Sequence, residues 1–284
     1  MARSNCAASK QPLTMEVSIV TSKAAALTTF LIVLAAIPAA GGELTLAPVQ
    51  DNTLYEVQVE SPEGNGGPPS NGAGDYFFAG MTNFTSEIRR GLVAFDVAGS
   101  VPTGAIISSV SLTLVVSRSN SGATPVELHR VTSDWGEGTS DASDPGGTGA
   151  PATDGDATWF HTFYPGSFWS MEGGDFSPTV SATQSVAGNG SYTWDSTPEM
   201  VADVQSWLDD PGTNFGWLVL GDESGPTSAK RFNTRENSSG SPQLTIVYQA
   251  PVPSVPVGGL IALGLVLAAL SSLLLVRKQR EAAN

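Results

Sequence analysis

Val110–Val116, VSLTLVV, decides the fold. Its large apolar residues Val110, Leu112, Leu114 and Val116 alternate with Ser111, Thr113 and Val115. In an extended chain successive side chains leave on opposite faces, so these four point one way, as in a strand with one face on a core. Partners for such a strand lie on both sides of it. Ile88–Val97 places Leu92, Ala94 and Asp96 on one face and Gly91, Val93, Phe95 and Val97 on the other. Thr53–Glu60, Val126–Val131, Gly216–Gly221 and Gln243–Tyr248 read as further strands. Glycine, proline and asparagine at 64–74, 102–104 and 120–122 supply the turns between them. Many short strands joined by polar turns predict an all-β fold, an antiparallel β-sandwich. One helix interrupts it. Met200, Val201, Val204, Trp207 and Leu208 recur at helical spacing, Ser196 or Thr197 can cap the start, Pro198 suits the first turn, and Pro211 ends it.

The strand-rich body runs over 44–248, and its flanks are of another character. Val257–Val276 is twenty residues without a charge, about 30 Å as a helix, the thickness of a bilayer's hydrocarbon core. Arg277, Lys278 and Arg280 follow within 277–284, so this end is expected to stay cytoplasmic and the body to lie across the membrane. Residues 249–256 are a proline-rich, extended linker. Residues 1–40 read as a secretory signal: Lys10 and Lys23 precede the apolar run Ala24–Ala36, and small residues at Ala39, Ala40 and Gly41 offer a cleavage site. Met15 is an alternative start.

The whole chain carries a formal charge of -14. Between 41 and 256 there are 25 acidic groups (27 less Glu16 and Glu281) and 7 basic ones (13 less Arg3, Lys10, Lys23, Arg277, Lys278 and Arg280). The body therefore carries about -18, which argues against nucleic acid as a partner. The single cysteine, Cys6, precedes the first hydrophobic run. A trimmed chain would have no disulfide, thiol nucleophile or cysteine-based zinc site.

Several phrases of the body, in order, resemble the DNRLRE-domain family of exported bacterial and archaeal proteins. They are DNTLYE (Asp51–Glu56), RRGLVAFDV (Arg89–Val97), IISSVSLTL (Ile106–Leu114), VELHRVTSDWGEG (Val126–Gly138), GDATW (Gly155–Trp159), ADVQSWLDDPGTNFGWLVLG (Ala202–Gly221) and KRFNTREN (Lys230–Asn237). That family is similar to carbohydrate-binding modules of polysaccharide-degrading enzymes and has a β-jelly-roll fold, so the resemblance implies glycan binding. The tail resembles the PEP-CTERM sorting signals, with VPSVP (Val252–Pro256) in place of Pro-Glu-Pro. This implies an exosortase-type processing enzyme as a partner, and either surface attachment or release of the body.

The long irregular segment 133–158 concentrates the candidate chemistry. Asp134, Glu137, Asp141, Asp144, Asp154 and Asp156 are oxygen ligands of the kind calcium takes, at a spacing unlike that of an EF-hand. Calcium is accordingly the candidate cofactor, and a solvated acidic loop the plainer alternative. For a sugar, aromatic rings stack on its faces while carboxylates and arginines bond its hydroxyls. Trp135, Trp159, His161, Phe163, Tyr164, Phe168 and Trp169 are the candidate rings, with Arg235 and Glu236 as polar contacts. Trp135 and Trp159 could equally pack beneath the loop. Arg89, Arg90 and Asp96 read as structural ion-pair or turn residues. Two histidines and no GxSxG, HExxH or GxxxxGK[ST] motif give no catalytic constellation. The expectation is a non-catalytic, exported surface or matrix protein that binds or organises extracellular polysaccharide. Its rivals are a purely structural surface protein and, less well supported, a polysaccharide lyase or hydrolase.

Overall fold

The computed structural model describes residues 41–57, 67–83, 87–251 and 257–283, with the side chains of 257–263 left aside. The expected signal at 1–40 and the proline motif at 252–256 lie outside the described residues.

Among the described residues, fifteen strands and two α-helices follow in chain order, with a single 3-10 turn at Pro211–Thr213. The strands are β1 (Gly41–Leu46), β2 (Gln50–Tyr55), β3 (Pro69–Ser70), β4 (Tyr76–Met81), β5 (Ile88–Ala94), β6 (Ile106–Ser119), β7 (Thr124–Val131), β8 (Ala150–Pro151), β9 (His161–Phe163), β10 (Ser167–Phe168), β11 (Phe176–Val186), β12 (Gly190–Trp194), β13 (Trp217–Leu220), β14 (Lys230–Asn233) and β15 (Gln243–Gln249). Helix α1 (Pro198–Asp209) lies between β12 and β13, and α2 (Val257–Glu281) closes the described chain. Eleven strands make one antiparallel sheet, in the order β1-β15-β6-β14-β4-β5-β13-β7-β11, with β12 also on β6 and β2 also on β5. The all-β expectation is met at this level.

The sheet turns on β4. Residues Tyr76–Ala79 pair with β14, while Gly80 and Met81 pair with β5. Gly80 makes the change of partner possible: its φ is +111°, and a Cβ there would lie 2.9 Å from the Ala229 Cα. The two halves thus share a core. Strand β6 contributes Val110, Leu112, Leu114 and Val116, and facing residues include Phe77, Val93, Leu128, Trp217 and Phe232. Ile88–Val97 proves buried on both faces. Val93, Phe95 and Val97 enter this core, while Leu92 and Ala94 enter a second one beneath the long loop. Asp96 leaves the strand and its Oδ1 accepts from the Gly99 N–H at 2.9 Å, turning the chain.

Helix α1 forms as its sequence pattern predicts. Thr197 is the N-cap and its hydroxyl accepts from the Met200 N–H at 3.0 Å. Met200, Val204, Trp207 and Leu208 are buried against β6 and β11. Helix α2 spans the expected membrane segment. Among the described residues, however, no helix is long and apolar enough to cross a membrane. The described side chains begin at Gly264, and that portion ends in Arg277, Lys278, Arg280 and Glu281.

Candidate functional site

The long segment 133–158 is held over the outer face of β2 and β5 by a buried polar network. At its hub is Asn52, whose amide N–H groups donate to Ser70 Oγ and the Glu137 carbonyl, both at 3.0 Å. The Asn52 Oδ1 accepts from the Thr53 N–H at 2.7 Å and the Asn71 N–H at 3.0 Å, so both ends of the amide are satisfied. Asp156, likewise buried, accepts from the Thr153 N–H at 2.5 Å. Burial raises its pKa. Gly138 passes so close (φ +69°) that a Cβ would overlap the Asp156 carboxylate at 1.6 Å.

Beneath this loop lie Trp135 and Trp159, 1% and 6% exposed. The Trp135 indole N–H donates to the Phe215 carbonyl at 2.8 Å, and the Arg90 guanidinium covers the Trp159 ring at 5.0 Å. Neither ring offers a face to a sugar, so of the two readings open for them they take the packing one. The loop needs apolar side chains beneath it, and tryptophan supplies both bulk and a donor for an inward carbonyl. His161 is also buried and shares a hydrogen bond with Thr158 Oγ1 at 2.9 Å. Of the segment's candidate rings Phe168 is the exposed one, at 57%, lying 4.4 Å from the His161 ring.

The six calcium candidates do not converge. Asp134 Oδ1 bonds the Trp135 N–H, Asp141 Oδ1 bonds the Ser143 N–H, Asp144 pairs with Arg231, and Asp156 holds Thr153. Glu137 grips Arg235, and Asp154 is exposed. Among the described residues no group of three or more His, Cys, Asp or Glu is gathered as metal ligands would be. The acidic residues of the loop mostly hold its own turns and ion pairs.

Arg235 and Glu236 come together with Asp51 and Glu137 at the exit of β14. Arg235 donates from Nε to Glu137 Oε1 at 2.8 Å and from Nη2 to Oε2 at 2.5 Å, a bidentate pair, and its Nε lies 2.9 Å from Glu236 Oε1. The pair with Glu137 holds the guanidinium pKa up. Asp51 Oδ2 accepts from the Arg235 N–H at 2.9 Å, while Oδ1 is buried without a hydrogen-bond partner among the described residues. Burial raises the pKa of both Asp51 and Glu236, Asp51 strongly, with neighbouring carboxylates adding to it. The Asp51 contribution is complete below the ordinary value of 3.8 and is lost as pH rises through the raised one. Asp51→Asn keeps an oxygen for the Arg235 N–H and removes the buried charge. We expect this variant to melt about 2–4 °C higher than wild type at pH 7.5 and to match it at pH 4, measured by thermal unfolding.

A second site lies on the outer face of β14, where sequence reading did not look. The pleat sends Lys230 and Phe232 inward and Arg231 outward. Register sets Arg231 directly opposite Phe78 of β4 on one side and Arg118 of β6 on the other. A register shift in β6, at Ser117, brings Arg118 to the outer face although Val116 points inward. Arg118, Arg231 and Phe78, joined by Arg89 and by Pro145 and Gly147 of the long loop, line a groove of about 160 Å³. Arg231 is held over the Tyr76 ring at 3.7 Å and donates to Ser117 Oγ at 3.0 Å. Arg89 is spent on Glu87 and on the Ile88 carbonyl. Arg118 is exposed and has no ion-pair partner among the described residues. Like charges directly opposite on neighbouring strands are unfavourable, so this row favours anions.

In comparisons with known proteins, no family model and no curated protein matches the chain.

Proposed function

We propose that this chain is a non-catalytic module displayed outside a bacterial membrane, and that it binds acidic polysaccharide in the Arg118–Arg231 groove. The observation that carries the reading is the distribution of charge. The body is strongly acidic, yet three of its seven basic side chains, Arg89, Arg118 and Arg231, line one groove with the Phe78 ring beside them. An acidic surface repels a polyanion at long range, so such a cluster makes sense as a local, specific seat for sugar carboxylates. Arginine presents a planar fork to them, and a ring can lie against a sugar face. The curled antiparallel sheet is compatible with the jelly-roll, DNRLRE-like reading.

Display rests on the two ends. The signal reading of 1–40 and the sorting-signal reading of the tail supply export, anchoring and an exosortase-type enzyme as processing partner. Helix α2 supports an anchor in one respect: Leu265, Leu267, Leu270, Leu273, Leu274 and Val276 are all exposed, so this apolar helix does not bury them within the protein.

The test is affinity electrophoresis and calorimetry with a polyuronate and a neutral glucan. Wild type should be retarded by the polyuronate alone and released by high salt. Arg118→Ala removes a charge with no internal partner and should weaken binding about tenfold. Indifference to both polymers would overturn the reading in favour of a second one, a purely structural surface or matrix protein. Burial of Trp135 and Trp159 favours that second reading.

A further inference from the structure

Asp144 is in an unusual position for an ion-pair partner. Its carboxylate is 2.7 Å from the Arg231 Nη1, yet the Asp144 side chain is 74% exposed while that of Arg231 is 13% exposed. The arginine is fixed by the Tyr76 ring and Ser117 Oγ, and it lines the groove together with Pro145, the residue that follows Asp144. The backbone beside Asp144 is fixed too. The Tyr55 hydroxyl donates to the Gly146 carbonyl at 2.8 Å, and the Ala142 N–H donates to Asn71 Oδ1 at 2.7 Å. The Asp144 carboxylate itself makes no other described contact than Arg231.

We infer that Asp144 is an internal competitor: its carboxylate occupies on Arg231 the place that a carboxylate of the acidic glycan takes. The inference rests on the groove being the glycan site. Because the loop wall is pinned and the side chain is loose, displacement needs only a rotation of Asp144 about its side-chain bonds, with the loop left in place. An exposed pair of this kind is weak, which lets a ligand bearing several carboxylates replace it. In the unliganded protein the same pair offsets the repulsion between Arg231 and Arg118 across the strands. Asp144 would thus set a threshold: a single weak anion does not displace it, and a multivalent chain that also reaches Arg118 does.

The test compares the full chain carrying Asp144→Asn with one carrying Asp154→Asn. Both changes remove one negative charge from an exposed position on the same loop, but of the two carboxylates Asp144 is the one paired with Arg231. Titrated with the same polyuronate, Asp144→Asn should bind about three- to fivefold tighter than wild type, the range expected on losing an exposed ion pair. Asp154→Asn should stay within about twofold. Equal tightening in both variants would show a general charge effect and overturn the inference, and so would an unchanged or weaker Asp144→Asn. If wild type and both variants ignore polyuronate while their melting curves stay cooperative, the groove reading itself fails and the competitor role falls with it.

Discussion

Lys230→Met should lower the stability of the body by about 3 kcal/mol, seen as a shift of the urea midpoint without a change in slope. Lys230 is fully buried on the inner face of β14, beside Phe232. Its ammonium meets five oxygens: Ser119 Oγ at 2.9 Å, Ser121 Oγ at 2.7 Å, and the carbonyls of Ser121, Gly122 and Ala187 at 3.4, 2.8 and 3.0 Å. Three N–H donors shared among five acceptors give a charge-assisted cage around a cation that, among the described residues, has no carboxylate on it. Burial draws its pKa down, so the cage has to hold the charge against desolvation. Methionine fills the stem's volume and leaves the oxygens without their donor. Several lie in turns that water can reach, so the loss is that of one or two good hydrogen bonds instead of five. A fall of less than about 0.5 kcal/mol would mean the oxygens rehydrate at no cost. The change also reaches the groove. Ser119 belongs to its lining, and the turn after it is tied by Lys230 to the Ala187 turn. Binding of polyuronate should weaken in this variant even under conditions where it is fully folded.

That lysine illustrates what a sequence conceals. Val110–Val116 announces its strand because one face is buried and the other is half-exposed, so apolar and polar residues alternate. Helix α1 is announced equally well, by a cap, a first-turn proline and a stripe of buried residues. Strand β11 carries no such signal. Its pairing with β7 shifts register between Phe176 and Ala182, so SPTVSATQS shows no steady period. Strand β14 is four residues long with a buried lysine at its start, and composition alone reads KRFN as a surface turn. The groove is hidden for a related reason. Its two principal arginines are over a hundred residues apart, and the irregularity at Ser117 decides which face Arg118 takes. Trp135 and Trp159 are ambiguous in the sequence: their density in a polar loop fits a surface as well as a floor, and a long loop without regular pairing needs an apolar floor of its own. The DNTLYE phrase at this end is read in the sequence only for a family resemblance and, from Thr53, for a strand. Asp51, Asn52 and Tyr55 each fasten the loop or its neighbours, and Glu56 accepts from the Ile88 N–H at 2.7 Å, so its polar residues serve architecture.

Arg235→Met should cost about 2 kcal/mol at pH 7.5 and much less at pH 5, because the residue is, among the described residues, the one cation bonded into a group of three carboxylates. Glu137 receives two of its hydrogen bonds and Glu236 lies at 2.9 Å, while Asp51 is held by its backbone N–H, which the substitution keeps. Removing one partner of a fully buried pair costs about 3–5 kcal/mol, and the figure is reduced here because the guanidinium is 38% exposed and screened. Without the guanidinium the carboxylates repel one another at neutral pH, and the raised pKa values of Asp51 and Glu236 are expected to move further up. Protons bound in the folded state and absent from the unfolded chain stabilise it as pH falls, so acid restores what the arginine supplied. Urea unfolding of wild type and variant at the two pH values measures this directly, and an equal loss at both would assign the residue a packing role. The same variant separates the two sites. Glu137 lies in the 133–158 segment, so its release should speed proteolysis within that segment, while Arg118 and Arg231, held by β6, β14 and Tyr76, should keep their affinity for polyuronate. Loss of that affinity together with the loop would instead place the floor of the groove under the control of Arg235, through the wall at Pro145 and Gly147.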